Sequence, residues 1–240
     1  MADIYENIVI GNFLFMLGHA VGNIPKNGKP SVLSVNLLQQ TPMDKTLGDV
    51  LMESSHFVRL IEFKRTQNKS NKEESKLELI TGVLQEEGNK HLLEVSRKIH
   101  WYIEAELKEN AFKSWSVPYL DFLKPNNHNF NIDQFIKSIV EEMTTARLSK
   151  NERNLFKEYI VKISNLQVSS GSSSGGLALW MDETGGLNYL PVSDIRHLSY
   201  TIENILEKEA ELSVHRQRLI ERQLELERGP SPSSYKGRSH

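Results

Sequence analysis

The chain has 240 residues, 38% of them hydrophobic and 25% charged, which is enough apolar material for a globular core. A formal net charge of −2 excludes a molecule-wide basic field for nucleic acid and leaves only local basic patches. Cysteine is absent, which excludes disulfides and thiolate metal ligands and fits a reducing, cytoplasmic setting.

The apolar run Ile8 to Gly22 follows Asp3 and Glu6, where a secretion signal would carry positive charge, and Asn12 and His19 interrupt it. A membrane span needs about 20 apolar residues, so this run reads as a buried helix and no membrane partner is expected. In a helix over Asp3 to Leu17, residues Glu6, Ile10, Phe13 and Leu17 share one stripe that begins with a carboxylate and continues as core. Gly22 to Pro30 is a loop by composition. Ser31 to Leu38 alternates in part and fits either a strand or the end of a helical turn.

Two apolar arms, Leu47 to Met52 and Phe57 to Lys64, flank the polar break Glu53-Ser54-Ser55-His56 and predict a β-hairpin. Arg65 to Glu74 reads as an exposed loop, and Ser75 to Gln85 and Lys90 to Ile99 read as helices. His100 to Leu107 switches to a period of two, a strand pattern, and Trp115 to Phe122 reads as another strand shortened by Pro118. The expected fold is α/β (α+β), a mixed β-sheet flanked by helices over residues 1–123. A mostly helical C-terminal region is expected over 124–228. It holds helices at Asn131 to Leu148 and Asn151 to Leu166, a Ser/Gly-rich loop at 168–176 and a small hairpin from Leu177 to Met181 and Leu187 to Leu190. A long charged helix then runs from Ser199 to Arg228, and the tail 229–240 is expected to be disordered. Leu198, Ile205, Leu212, Leu219 and Leu226 recur every seven residues, but the companion positions read Ile202, Glu209, Arg216 and Gln223, and a coiled coil needs both seams. The last helix therefore either lies on its own domain, binds a protein partner or joins copies into a homo-oligomer.

On the second hairpin arm, alternation puts Phe57, Arg59, Ile61 and Phe63 on one face and Val58, Leu60, Glu62 and Lys64 on the other. Glu62 and Lys64 are thus neighbours ~6.6 Å apart along the strand, and antiparallel pairing brings Asp49 near Leu60 to Glu62. Two carboxylates beside a lysine suit a hard cation, Mg²⁺ or Mn²⁺, and hydrolysis of a phosphodiester. The plainer alternative is an edge strand carrying a solvated ion pair. Glu6 is equally a first-turn glutamate favoured by the helix dipole.

A helix with a glutamate, an Asp opening a hairpin, Glu-x-Lys closing it, and then a helix and further strands resemble the PD-(D/E)XK nuclease superfamily. The matching residues are Asp49, Glu62 and Lys64 in "GDVLMESSHFVRLIEFKR", with Glu6 as the acidic residue of the first helix. Gly48 stands where the motif's name has proline. The resemblance covers residues 1–123 and implies cleavage of DNA, less often RNA, with Asp49, Glu62 and Lys64 catalytic and Asp49, Glu62 and Glu6 holding Mg²⁺. Arg65, Lys69 and Lys72, with Lys76, form a local basic loop suited to gripping phosphates without reading sequence. Eight histidines without close pairing argue against zinc. The expectation is a metal-dependent endonuclease acting on DNA, of the kind used in bacterial or phage defence and working in a complex. Its rival is a non-catalytic interaction protein with an idle nuclease-like core that binds a protein partner through the C-terminal helices.

Overall fold

In a computed structural model the described residues are 5–24, 33–39, 47–66, 71–108, 111–124, 130–145, 147–166, 175–181 and 187–192, with 194, 196, 214, 217–222 and 224. Lys69, most of the 168–176 loop, most of the expected 199–228 helix and the tail 229–240 lie outside them. In chain order the elements are α1 (Glu6–Gly22), β1 (Leu33–Leu37), β2 (Val50–Ser54), β3 (Val58–Arg65), α2 (Asn71–Gln85), α3 (Leu92–Ile99), β4 (His100–Lys108) and β5 (Ala111–Pro118). After them come α4 (Ile132–Met143), α5 (Lys150–Ser164), β6 (Gly176–Met181) and β7 (Leu187–Val192).

The main sheet is mixed and five-stranded, in the order β1-β2-β3-β4-β5. Neighbours run antiparallel except β3 and β4, which are parallel. A parallel pair needs a crossover, and α2 with α3 supplies it. The hairpin turn is tighter than the polar break suggests. Glu53 and Ser54 belong to β2, with Glu53 opposite Val58, because Ser54 Oγ accepts from the backbone N–H groups of His56 and Phe57 (both 3.1 Å) and closes the turn itself. Of the ambiguous run 31–38, Leu33–Leu37 forms a strand, β1. Pro118 ends β5, and Tyr119–Asp121 continues as a single 3₁₀ turn.

Alternation along β3 places Phe57, Ile61 and Phe63 in a core with Val9, Ile10, Phe13 and Leu17 of α1, Val50 and Met52 of β2, and Phe135, Ile136 and Ile139 of α4. Phe13 anchors this layer, 5.4 Å from the Phe63 ring and 6.1 Å from the Phe135 ring. Arg59 shares the face and is buried, and an ion pair with Glu142 ties it to α4. Asn131 opens α4 with a reciprocal capping box to Gln134, and Ser149 opens α5 likewise with Glu152. The opposite face of β3 turns toward α2.

Residues Met1–Ile202 form one compact unit and Glu203–His240 a second. The boundary expected near residue 124 falls inside the first unit, since α4 completes the core beneath α1. The small sheet of β6 and β7 lies along edge strand β1. Ser34 Oγ donates to the Leu177 carbonyl (2.8 Å), and Leu177 N–H donates to Asn36 Oδ1 (2.8 Å). In the second unit, 217–222 is helical.

Candidate active site

Pairing of Val50 with Ile61 sets Asp49 opposite Glu62, and the Asp49 N–H donates to the Ile61 carbonyl at 2.9 Å. The predicted meeting of these two carboxylates across the hairpin is therefore present. Gly48 makes the approach possible. Its φ is +134°, and a Cβ there would lie 3.0 Å from the Ile61 carbonyl oxygen and 3.3 Å from Glu62 Oε2. Proline, fixed near a φ of about −65°, cannot stand in that place.

Both carboxylates are buried, each 3% exposed. Asp49 Oδ2 accepts from the Phe63 N–H (2.7 Å), and Oδ1 accepts from Gln39 Nε2 (3.1 Å). Gln39 is delivered by its neighbour Leu38, whose N–H donates to the Asp49 carbonyl (2.7 Å). Burial and then the nearby Glu62 charge push the Asp49 carboxyl up to about 7. Burial alone would raise Glu62 as well, but Lys76 and Lys64 outweigh it and hold that carboxyl below its ordinary value.

Glu62 is gripped twice. Lys64 Nζ pairs with Oε1, and Lys76 Nζ donates to Oε2 at 2.8 Å. Burial would lower the Lys64 amine, yet Glu62 and Glu73 raise it above its usual value and keep it charged. Glu73 lies 3.6 Å from Lys64, and its other oxygen accepts from the Tyr119 hydroxyl at 2.9 Å. Tyr119 in turn lies 5.4 Å from the Lys76 ammonium and stacks at 4.1 Å on the buried ring of His100. Burial and Lys76 keep that imidazole well below its usual pKa and hence neutral. The result is three carboxylates and two ammonium groups on one face of the sheet, between β3 and α2.

Asp49, Glu62 and Lys64 are brought together as the sequence predicts. Glu6 is not gathered with them: it opens α1, whose core side packs on the opposite face of β3. Arg65 ends β3 and stacks over the Tyr5 ring at 5.5 Å, Lys72 is exposed in the first turn of α2, and Lys69 lies outside the described residues. The sequence puts Lys76 in the basic run suited to gripping phosphates and Glu73 in an exposed loop; the structure instead buries Lys76 on the inner side of α2 and makes Glu73 part of the helix. With α2 starting at Asn71, positions 73, 76, 80 and 84 share one stripe. Ile80 and Leu84 bury it, and Lys76 and Glu73 then point at Glu62. That periodicity was the available signal. Tyr119 and His100 had none.

Hard oxygen donors of the right kind for Mg²⁺ or Mn²⁺ stand at Asp49 and Glu62, and a cation between them would relieve the repulsion that raises Asp49. Each of their four oxygens already has a protein partner, so loading competes with Gln39, the Phe63 N–H, Lys64 and Lys76. Among the described residues no group of three or more His, Asp or Glu side chains forms a metal-holding set, and no helix is long and apolar enough to cross a membrane. Comparison with protein-family models, with curated proteins and with solved structures returns no match in any of the three.

Proposed function

We propose that the chain is a metal-dependent nuclease that hydrolyses DNA phosphodiester bonds at the β2–β3 face, in keeping with its resemblance to the PD-(D/E)XK superfamily. One observation carries this reading: a buried Asp and a buried Glu meet across adjacent strands with a lysine beside the Glu. Asp49 and Glu62 would hold Mg²⁺ or Mn²⁺, which when bound supplies positive charge to the scissile phosphate and acidifies nearby water. Lys64 orients the attacking water and stabilises charge growing on the phosphoryl oxygens. Lys76 fixes the Glu62 carboxylate from the helix side. Lys72, exposed in the first turn of α2, suits a backbone phosphate, whereas Arg65 stacks on Tyr5 on the other face of β3. A role in bacterial or phage defence, in a cytoplasmic complex, belongs to the same proposal.

Supercoiled plasmid incubated with Mg²⁺ or Mn²⁺ is the test. Nicking or linearisation is expected, and Glu62→Ala or Lys64→Ala should each slow it by roughly 10²-fold or more, the usual loss for a transition-state contact. Plasmid left intact with either metal, by the chain and by whatever copurifies with it, ends the nuclease reading. A second reading is favoured by the saturation of all four carboxylate oxygens: an idle site in an interaction protein that binds its partner through the C-terminal helices. Calorimetric titration with Mn²⁺ separates the two, since an idle site takes up none.

A further inference from the structure

Three buried tyrosines, Tyr102, Tyr119 and Tyr159, gather around β4, and two of them have their hydroxyls engaged. Tyr119 donates to Glu73 at 2.9 Å. The Tyr159 hydroxyl lies 2.9 Å from that of Ser96 and 2.7 Å from His100 Nδ1. Tyr102 differs. It is 8% exposed, and its ring is clamped, stacked on Phe122 at 4.5 Å and edge-on to Tyr119 at 6.4 Å. Yet its hydroxyl has no hydrogen-bond partner among the described residues, and the oxygen is not sealed from solvent. A buried tyrosine normally finds a partner for its O–H. Phenylalanine would serve here if packing were the whole of the role.

Strand register sets where that hydroxyl stands. Across the parallel β3–β4 ladder Tyr102 is paired with Glu62, and Glu104 with Lys64. Paired residues share a face, so Tyr102 projects on the side of Glu62 and Lys64. Strands ~4.8 Å apart and alternate residues ~6.6 Å apart put Tyr102 and Lys64 about 8 Å from each other at Cα. Two long side chains can converge from that separation on one phosphate. Burial and then the Glu104 charge hold the phenol above its ordinary pKa. It therefore stays protonated and serves as a donor, not a base.

We propose that Tyr102 is a catalytic residue of this site, its O–H donating to a non-bridging oxygen of the scissile phosphate beside the Lys64 ammonium. The inference rests on the nuclease reading, which supplies the phosphate. No proton leaves Tyr102: water adds to phosphorus, the P–O ester bond breaks, and the hydrogen bond strengthens as charge builds on the oxygen it holds. A clamped ring presents its donor without reorganisation, which is what makes such a contact worth more in the transition state than in the ground state.

Tyr102→Phe tests this, since it keeps the ring and its stack on Phe122 and removes the oxygen. Urea unfolding should be little changed. In plasmid nicking with Mg²⁺ or Mn²⁺, kcat should fall about 10²-fold, the usual loss for one such donor, with KM little changed. Tyr189→Phe, at a 69% exposed position on β7, should leave both constants alone. A second readout needs no turnover. With Ca²⁺ in place of Mg²⁺ and tyrosine labelled at Cζ, a short DNA duplex should shift the Tyr102 carbon resonance and leave that of Tyr159 in place. A parent chain that cuts while Tyr102→Phe keeps its kcat, or a Tyr102 resonance unmoved with DNA bound, overturns this inference and leaves the nuclease reading intact. Plasmid left whole by the parent chain ends both.

Discussion

Asp49 bears two unfavourable influences at once, burial and the neighbouring Glu62, and together they push its carboxyl up to about 7. An unfolded Asp titrates near 3.9, so the folded state holds this proton more tightly than the unfolded chain does. The stabilisation that follows is complete below about pH 4 and is lost as pH rises toward about 7. Asp49→Asn, measured without divalent metal, should therefore be more stable than the parent by roughly 2–4 kcal/mol near pH 8, three pH units at 1.36 kcal/mol each setting the ceiling. Near pH 4 the difference should vanish. Urea titrations at the two pH values check this, and an equal gap at both would exclude titration of Asp49 as its origin. Asp49, Glu62 and Lys64 were legible because a period of two and a short hairpin suffice to place them. Lys76 was not. It falls on the Ile80 and Leu84 side of the helix wherever that helix begins, but a lysine there shows no buried partner until Glu62 is set against it, and Glu73 joins the stripe only once Asn71 is known to be helical.

Between elements, two polar ties can be tested. Arg59 of β3 is buried and depends on Glu142 of α4 for its counter-charge. Burial by itself lowers that guanidinium. Glu142→Ala should cost about 3–5 kcal/mol, the penalty for a stranded buried charge. Arg59→Met in the same background should recover part of it, as thermal or urea unfolding would show. No recovery would mean that Glu142 acts through something other than the charge of Arg59. The second tie is the hold of β1 on β6. In Asn36→Leu the Leu177 N–H loses its acceptor, so its hydrogen exchange should quicken while amides of β3 and β4 stay protected. Uniform loss of protection would mean that the hairpin is integral to the sheet rather than docked on its edge. The sequence revealed the alternation of these strands but not their ties, because Ser34, Asn36 and Arg59 look like surface residues until a neighbouring element is set against them.

At the scale of the whole molecule, the sequence placed a seam where the fold has none. The turn-forming run after Lys124 has the composition of a linker, and only the packing of Phe135 on Phe13 and Trp101 reveals that α4 belongs to the first unit. β3 is the middle strand of the sheet, flanked on both edges by neighbours, with the core against one face and the ionic cluster on the other. Lys76 is consequently shut into the interior of the protein and does not sit on a loop that can swing free, whereas Lys64, near the end of β3, keeps part of its side chain in water. An amine-selective acylating reagent should modify exposed Lys98 at once and reach Lys76 only when the sheet and α2 part. The labelling of Lys76 would then serve as a clock for global melting.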